Sequence, residues 1–149
     1  MTAQRPTLSV IIVSWNVREL LRRALTSCRA SWGDRPGLEL IVVDNVSTDG
    51  TVEMVRKDFP TVTVVANEEN RGFTGGNNDG LDRARGTYLL LLNPDTEVLD
   101  DALPRLVAYL EQHPEVGELF DNVMATFQGG ETDPVAQSID FARFRTVVD

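Results

Sequence analysis

Residues 8–14 read LSVIIVS, and residues 38–43 read LELIVV. Both stretches are short, rich in β-branched residues and nearly all apolar, which is typical of strands covered on both faces of a parallel sheet. Between them, apolar residues recur at helical spacing over 17–28, and glycine and proline interrupt the chain over 33–37. The stretch therefore predicts a strand–helix–strand unit.

The alternation of helix and strand continues along the chain. The following segments are predicted as helix, strand, helix, strand and helix, in the order 52–59, 61–66, 72–85, 87–92 and from Asp100 onward. Parallel strands need crossover connections, and helices supply them. The order predicts an α/β fold with three layers, Rossmann-like, with a mostly parallel sheet and helices on both faces.

Composition excludes several classes of protein. The chain has 149 residues and a net charge of −9, which argues against a general nucleic-acid binder and against attachment to membranes by charge. The single cysteine, Cys28, excludes an internal disulfide and a cysteine zinc cluster, and we expect it in the core. The single lysine, Lys57, has no preceding glycine, and no two glycines lie two residues apart. Walker A loops and G-x-G-x-x-G dinucleotide sites are therefore excluded.

The start of the chain shows no recognisable targeting segment. Residues 1–6 are polar, and the apolar run 8–13 is too short for a signal-peptide core or a membrane span. We therefore expect a cytoplasmic protein, with peripheral attachment at the inner face of the membrane as a second expectation.

Polar residues follow each predicted strand, at the sheet edge where ligands of open parallel sheets bind. These groups are Ser14–Asn16, Asp44–Asn45, Asn67–Arg71 and Asn93–Asp95. The Asp95 carboxylate suits Mg²⁺ or Mn²⁺ that also takes phosphate oxygens; the alternative is that Asp95 or Thr96 caps the next turn. The Asp44 carboxylate can accept a hydrogen bond from a nucleobase imide or a ribose hydroxyl, or close an Asx turn onto Ser47.

Each residue at the end of the first strand fits either a structural role or a ligand contact. Asn16 precedes Glu19 by three residues, a capping-box pattern, so we expect Asn16 to cap the first helix. Ser14 fits a plain strand end as well as a ligand contact. Trp15 fits stacking on a base as well as packing.

Residues 70–80 read NRGFTGGNNDG. Glycines 72, 75 and 76 allow a ligand to approach the backbone, and amides at a helix start favour anions. Arg71 adds a cation that can reach a phosphate or a base carbonyl. The alternative is a loop whose glycines serve only its backbone conformation.

Together these stretches resemble the family 2 glycosyltransferases, nucleotide-sugar enzymes of the GT-A fold, and their rhamnosyltransferase-like branch in particular. The resemblance covers residues 8 to about 117 and rests on four ordered motifs: LSVIIVSWN (8–16), LELIVVDNVSTDGT (38–51), NRGFTGGNNDGLDRARG (70–86) and YLLLLNPDTEV (88–98). Beyond Gly117 we recognise no family motif, and we expect the chain to stop after the nucleotide-binding half.

The resemblance implies a nucleotide site in which Asp44 contacts the base of a UDP-, dTDP- or GDP-sugar. Asp95 would be the metal-binding acid for Mg²⁺ or Mn²⁺, with Asn93 in place of the first acid of the family's D-x-D motif. From the loop chemistry and the resemblance together, the candidate nucleotide-binding residues are Ser14, Asn16, Asp44, Asn70, Arg71, Gly75, Gly76, Asn93 and Asp95.

The resemblance also implies a reaction, which is metal-assisted transfer of a sugar, with inversion, to the hydroxyl of a saccharide or lipid-linked acceptor in cell-surface polysaccharide biosynthesis. No catalytic base is assigned. The alternative is a non-catalytic nucleotide-sugar-binding or interaction module. We expect residues 1–116 to form the nucleotide-sugar-binding half and 117–149 a divergent tail with one helix near 134–142. Self-association through exposed apolar surface is a further expectation.

Overall fold

The computed structural model describes residues 4–113 and the backbone of residues 144–146. The elements are, in chain order, β1 (Leu8–Ser14), α1 (Arg18–Trp32), β2 (Leu38–Asp44), α2 (Thr51–Asp58), β3 (Thr63–Ala66), α3 (Gly72–Arg83), β4 (Tyr88–Leu91), β5 (Thr96–Val98), α4 (Ala102–Gln112) and β6 (Phe144–Thr146). Strands β1 to β4 form a parallel sheet in the order β3-β2-β1-β4, and β5 pairs antiparallel with β6. The predicted α/β fold with a parallel sheet is confirmed.

The side chains of the sheet alternate between two hydrophobic layers. In β1, Leu8, Val10 and Ile12 pack against the layer that contains α1, α2 and α4. Ile11 and Val13 belong to the opposite layer, which α3 covers. Since successive strand residues point to opposite faces, a strand covered on both faces is apolar at nearly every position. This requirement explains why the sequence of β1 is nearly all apolar.

Helix α3 approaches the sheet closely at two glycines. A Cβ atom on Gly80 would lie 2.4 Å from Ile11 Cγ2, and one on Gly76 would lie 2.7 Å from Val13 Cγ1. The two glycines are four residues apart and share one face of the helix. This contact fixes how far α3 stands from β1, and with it the position of the polar residues that α3 carries.

The amino edge of the sheet carries a closed hydrogen-bond network around Glu39. Its carboxylate accepts bonds from Ser9 Oγ (2.7 Å), from the Arg85 amide (2.9 Å) and from Arg85 Nε (3.0 Å). Ser9 Oγ in turn accepts a bond from the Gly86 amide at 2.8 Å. Burial raises the pKa of Glu39, but the bonds from Arg85 and Ser9 outweigh burial, and the net pKa lies below its ordinary value. The network ties the connection between α3 and β4 to the sheet.

Some element boundaries differ from the sequence-based expectation. Strand β3 begins at Thr63 and not at residue 61, because the Val62 amide donates to Phe59 O in a turn (3.0 Å). Strand β5 has three residues, too few to show a period, and was not predicted. The tail helix predicted near 134–142 lies outside the described residues. Cys28 is buried as expected, and burial raises the pKa of its thiol to about 12.

We predict that Gly80→Ala lowers the free energy of unfolding by about 1–2 kcal/mol. The added methyl group collides with Ile11, and overpacking of a core typically costs about 1–3 kcal/mol, while the better helix propensity of alanine returns up to about 1 kcal/mol. Urea unfolding of the two proteins measures the difference. The control is Asp82→Ala, an exposed position of the same helix, which should leave stability unchanged or raise it. A Gly80→Ala protein as stable as wild type would contradict the close contact of α3 with β1.

Candidate functional site

The carboxyl ends of β1 to β4 meet at one edge of the sheet, which we call the carboxyl edge. Strands β2 and β3 add on one side of β1, whereas β4 adds on the other, so the strand order reverses between β1 and β4. Ligands of open α/β sheets bind in the crevice at such a reversal. The loops that surround this crevice are 15–17, 45–50, 67–71 and 92–95.

Ser14 and Asp44 end β1 and β2 opposite each other. Both residues are buried, with 1% and 2% of their surface exposed. Asp44 Oδ2 accepts a hydrogen bond from the Ser47 amide at 2.9 Å, so the Asx turn named above as an alternative does form. Ser14 Oγ and Asp44 Oδ1 are the buried side-chain atoms without a hydrogen-bond partner in the described part of the chain. Because such an atom costs about 1–3 kcal/mol, two of them side by side indicate a site that a ligand completes.

Reciprocal hydrogen bonds lock the loop after β1 to the loop after β2. The Asn16 amide donates to Ser47 Oγ (2.8 Å), and Asn16 Oδ1 accepts from the Thr48 amide (2.7 Å). Asn16 therefore does not cap α1, and that prediction is wrong, because the side-chain oxygen it required bonds Thr48 instead. The lock holds the ends of β1 and β2 together and so maintains the pairing of Ser14 with Asp44.

Asp49 supplies the missing cap, and sequence analysis overlooks it. Its Oδ2 accepts from the Arg18 amide at the start of α1 (3.0 Å), and its Oδ1 accepts from the amide (3.2 Å) and the hydroxyl of Thr51 at the start of α2. Burial raises the pKa of Asp49, but the bonds from Thr51 and Arg18 outweigh burial, and the net pKa lies below its ordinary value. The available signal is the S-T-D-G turn directly before α2.

Exposed apolar residues also follow the strand ends. Trp15, Val46 and Phe73 are the exposed large hydrophobic residues in the described part of the chain, and they come after β1, β2 and β3. Trp15 is 58% exposed, so it is not a core residue, and stacking on a base stays a prediction. Val46 has φ 62°, a left-handed conformation that β-branched residues rarely adopt. Such strain typically costs about 1–3 kcal/mol and clusters at functional sites.

A second polar cluster lies on the α3 face of the sheet, and Asn45 is its centre. Asn45 Oδ1 accepts hydrogen bonds from Asn67 Nδ2 (3.0 Å) and from the Arg71 amide (3.3 Å). Asn45 Nδ2 donates to Gly72 O at 3.0 Å. Asn45 thereby ties the end of β2 to the loop that leads into α3.

Arg71 and Asn70 belong to this second cluster. Arg71 Nε donates to Asp79 Oδ2 at 2.7 Å, and the Arg71 side chain is 45% exposed. Asn70 Oδ1 accepts from the Gly72 amide at 2.9 Å, at the start of α3. Their contacts with a nucleotide stay predictions, because what the structure shows is a local role for each side chain.

Gly75 and Gly76 lie in the first turn and a half of α3. Gly76 is buried against Val13 and the Asn45 amide, and a Cβ on Gly75 would lie 2.9 Å from Arg71 Cβ. The close approach that these glycines permit is toward the sheet and toward Arg71. Their amides as ligand donors stay a prediction. Gly72 does have positive φ, 72°, as the alternative interpretation of this segment expects.

Asn93 and Asp95 lie on the other side of β1, between β4 and β5. The Leu92 amide donates to Ile11 O (2.9 Å), and the Thr96 amide donates to Asn93 O (3.1 Å), so the backbone of this turn is held at both ends. The Asp95 carboxylate bonds no residue within 4–113, so it caps no turn there. Among the described residues no three His, Cys, Asp or Glu side chains are grouped to hold a metal.

The donors within residues 4–113 fit one kind of metal ion. A structural zinc or calcium site needs several protein ligands in one place. Mg²⁺ or Mn²⁺ bound together with a substrate diphosphate needs one or two carboxylates, because phosphate oxygens and water complete its shell. The unpartnered carboxylate of Asp95 meets this requirement.

The sequence model of Glycosyl transferase family 2 matches residues 9–146. The chain belongs to glycosyl transferase family 2. The match reaches well past residue 117, so our limit for the family resemblance is corrected, and it includes the segment that forms β6. The division of the chain at residue 116 stays a prediction.

Two curated relatives of this family 2 chain are named as enzymes of glycan synthesis. It is 33% identical over 113 residues to the putative teichuronic acid biosynthesis glycosyltransferase TuaG of Bacillus subtilis, a match that covers 74% of the chain and 44% of TuaG. It is 36% identical over 106 residues to the GalNAc(5)-diNAcBac-PP-undecaprenol beta-1,3-glucosyltransferase of Campylobacter jejuni, covering 68% of the chain and 34% of that protein. The chain thus spans less than half the length of these relatives.

Solved structures confirm the GT-A fold. S. aureus TarS superimposes with a TM-score of 0.64 and 28% identity, covering 72% of the chain and 33% of TarS residues 1–349. TarS has been crystallised with UDP and with UDP-GlcNAc. The mannosyltransferase PcManGT of Pyrobaculum calidifontis, in complex with GDP-Man and Mn²⁺, gives a TM-score of 0.62 and 28% identity, covering 74% of the chain and 33% of PcManGT. Within residues 4–113, no helix is both long enough and apolar enough to cross a membrane.

We predict that Ser14→Ala raises the free energy of unfolding by about 1 kcal/mol, because it removes a buried hydroxyl that lacks a partner. The matched control is Ser9→Ala on the same strand. Ser9 bonds both Glu39 and Gly86. Its loss leaves the Gly86 amide without this partner and removes one bond to the Glu39 carboxylate, which keeps its bonds from Arg85, so stability should fall by about 1–3 kcal/mol. Urea unfolding without nucleotide measures both. Equal destabilisation by the two substitutions would contradict an unsatisfied Ser14.

Proposed function

We propose that the chain is the donor-binding part of a glycosyltransferase that moves a sugar, with inversion, from a nucleoside-diphosphate sugar to an acceptor hydroxyl. The observation that carries the proposal is the unpartnered pair Ser14 Oγ and Asp44 Oδ1 at the carboxyl edge of a family 2 fold. The neighbours bound to UDP, UDP-GlcNAc and GDP-Man support a nucleotide sugar as the ligand.

Asp44 is the residue that recognises the base in this proposal. The Ser47 amide bonds Oδ2 and leaves Oδ1 as an oriented acceptor. A carboxylate accepts hydrogen bonds only, so it matches the ring N–H of uracil, thymine or guanine. The neighbouring Ser14 hydroxyl can donate or accept, and the exposed Trp15 ring offers a surface for stacking.

Asp95 would hold a divalent metal together with the diphosphate of the donor, with Asn93 beside it in the same turn. When bound, such an ion supplies positive charge that stabilises the leaving diphosphate. The Mn²⁺ in the mannosyltransferase complex supports this assignment. Arg71 adds a protein cation for the same diphosphate.

The proposed chemistry is a single displacement. The acceptor oxygen forms a bond to the anomeric carbon while the bond from that carbon to the diphosphate oxygen breaks, and the acceptor proton passes to a carboxylate base. One displacement inverts the configuration of that carbon. No described residue is assigned as the base.

The acceptor is proposed from the names of the relatives. The names of three relatives refer to teichuronic acid biosynthesis, to succinoglycan biosynthesis and to an undecaprenol-linked glycan. These names support a saccharide or lipid-linked acceptor in cell-surface polysaccharide biosynthesis. Nucleotide sugars as donors favour a cytoplasmic enzyme that works at the inner face of the membrane.

Calorimetric titration with UDP, dTDP and GDP, each with and without Mn²⁺, tests the proposal. Wild type should bind at least one nucleotide, more tightly with Mn²⁺, and Asp95→Ala should lose the metal effect. Asp44→Asn should bind about 10- to 100-fold more weakly, as expected for a hydrogen bond to a charged group. The reason is that asparagine has one oxygen, which the Ser47 amide occupies, and would direct its NH₂ group at the ring N–H.

Asp34→Asn is the matched control, because it makes the same chemical change in an exposed loop at the amino edge. It should bind nucleotide like wild type. A folded wild-type protein that binds none of the three nucleotides would contradict the proposal. Nucleotide-sugar binding without transfer to saccharide or lipid-linked acceptors would favour the alternative, a non-catalytic nucleotide-sugar-binding module.

A further inference from the structure

The second polar cluster at the carboxyl edge includes the ion pair of Arg71 with Asp79, and several hydrogen bonds fix the geometry of this pair. Asp79 Oδ2 accepts hydrogen bonds from Arg71 Nε (2.7 Å) and from Asn67 Nδ2 (3.2 Å). Asn67 Nδ2 also donates to Asn45 Oδ1, which accepts the Arg71 amide as well. Both the backbone and the side chain of Arg71 are therefore attached to the same small group of residues.

We infer that Asp79 is a positioning residue, which holds the Arg71 guanidinium by its Nε so that the terminal nitrogens are directed to the donor diphosphate. This inference rests on the proposed function. It concerns the phosphate part of the donor and is independent of base recognition by Asp44.

The stability of the protein does not explain this pair. Arg71 is 45% exposed and Asp79 21%, and ion pairs near the surface contribute about 0–1 kcal/mol. The bond uses Nε alone, and no residue within 4–113 accepts a hydrogen bond from the two terminal nitrogens. A guanidinium held in this way keeps the fork that binds a phosphate in two places.

The surroundings of the pair explain why a fixed cation is useful there. Asp44, Asp95, Glu68 and Glu69 lie in the loops at the same edge, and the whole chain carries a net charge of −9. A diphosphate that enters this region meets repulsion unless a cation is held at a defined point.

The position of Asp79 is itself fixed by the sheet. Asp79 immediately precedes Gly80, whose close contact with Ile11 sets the distance of α3 from β1. Because Asp79 bonds Arg71, the position of α3 sets the position of the Arg71 side chain in the preceding loop.

The experiment compares the binding of UDP with that of uridine, which lacks phosphate. The variants are Arg71→Ala, Arg71→Lys and Asp79→Asn. If dTDP or GDP binds wild type more tightly than UDP does, that nucleotide and its nucleoside are used instead of UDP and uridine. Calorimetry measures the diphosphate and NMR titration the nucleoside. Asp79→Asn should bind the diphosphate about fivefold more weakly, and so should Arg71→Lys, which keeps the charge but loses the fork. Arg71→Ala should lose about tenfold. Nucleoside binding should change by less than about twofold in all three, because the inference assigns both residues to the phosphates and not to the base.

The sign of the effect separates positioning from simple charge compensation. If Asp79 merely neutralised Arg71, its removal would strengthen the binding of an anion. The control Asp82→Asn makes the same charge change at an exposed position of α3 and should leave the affinity for the diphosphate within about twofold or slightly raise it.

Each other outcome overturns a definite statement. Diphosphate binding by Asp79→Asn that is as tight as in wild type, with a loss in Arg71→Ala, overturns the inference and leaves the proposed function intact. An Arg71→Ala protein without any loss overturns the inference and the role proposed for Arg71, and it leaves base recognition by Asp44 and the proposed sugar transfer intact. A wild-type protein that binds no nucleotide overturns the proposed function and the inference with it. Weaker nucleoside binding in Asp79→Asn would assign Asp79 a general structural role, and the thermal unfolding midpoint of each variant is measured alongside.

Discussion

Strand β1 runs parallel to β2 over seven residue pairs, from Leu8 opposite Leu38 to Ser14 opposite Asp44. This pairing builds the centre of both hydrophobic layers, and its last pair is the polar pair of the candidate site. A shift of one residue would turn every side chain of β1 to the other face, and it would also separate Ser14 from Asp44. Core and site therefore depend on one register.

The two ends of this pairing differ in whether their buried polar side chains are fully hydrogen-bonded. At the amino edge, Ser9 and Glu39 form a closed network with Arg85 and Gly86. At the carboxyl edge, Ser14 Oγ and Asp44 Oδ1 have no partner among the described residues, although bonds through Asn16, Thr48 and Asp49 hold the surrounding loops in place. This difference between the two edges supports the proposal that the donor binds at the carboxyl edge.

The sequence predicts the sheet and its helices well because the signal is local. Buried parallel strands are nearly all apolar, and residues 8–14 and 38–44 match this pattern, with their polar residues near the strand ends. Ser14 and Asp44 are candidate site residues because the end of a strand is visible in the sequence. The Asx turn of Asp44 onto Ser47 also spans only three residues.

What the sequence does not predict depends on contacts between distant segments. The sequence around Asn16 does match a capping pattern. However, the side-chain oxygen of Asn16 accepts a hydrogen bond from the amide of Thr48, which lies 32 residues away. Asp49 caps α1 from a distance of 31 residues, and no local rule connects the two. The bond of Asp79 to Asn67 likewise requires the height of α3 above the sheet, which two glycine contacts with β1 determine.

The most direct test is a crystal structure of the chain grown with Mn²⁺ and the nucleoside diphosphate that binds most tightly. We expect the ring N–H of the base to donate to Asp44 Oδ1, with the diphosphate toward Asp95. A nucleotide bound away from Ser14 and Asp44, or one that leaves Asp44 Oδ1 still without a partner, would contradict the assignment of the carboxyl edge as the donor site.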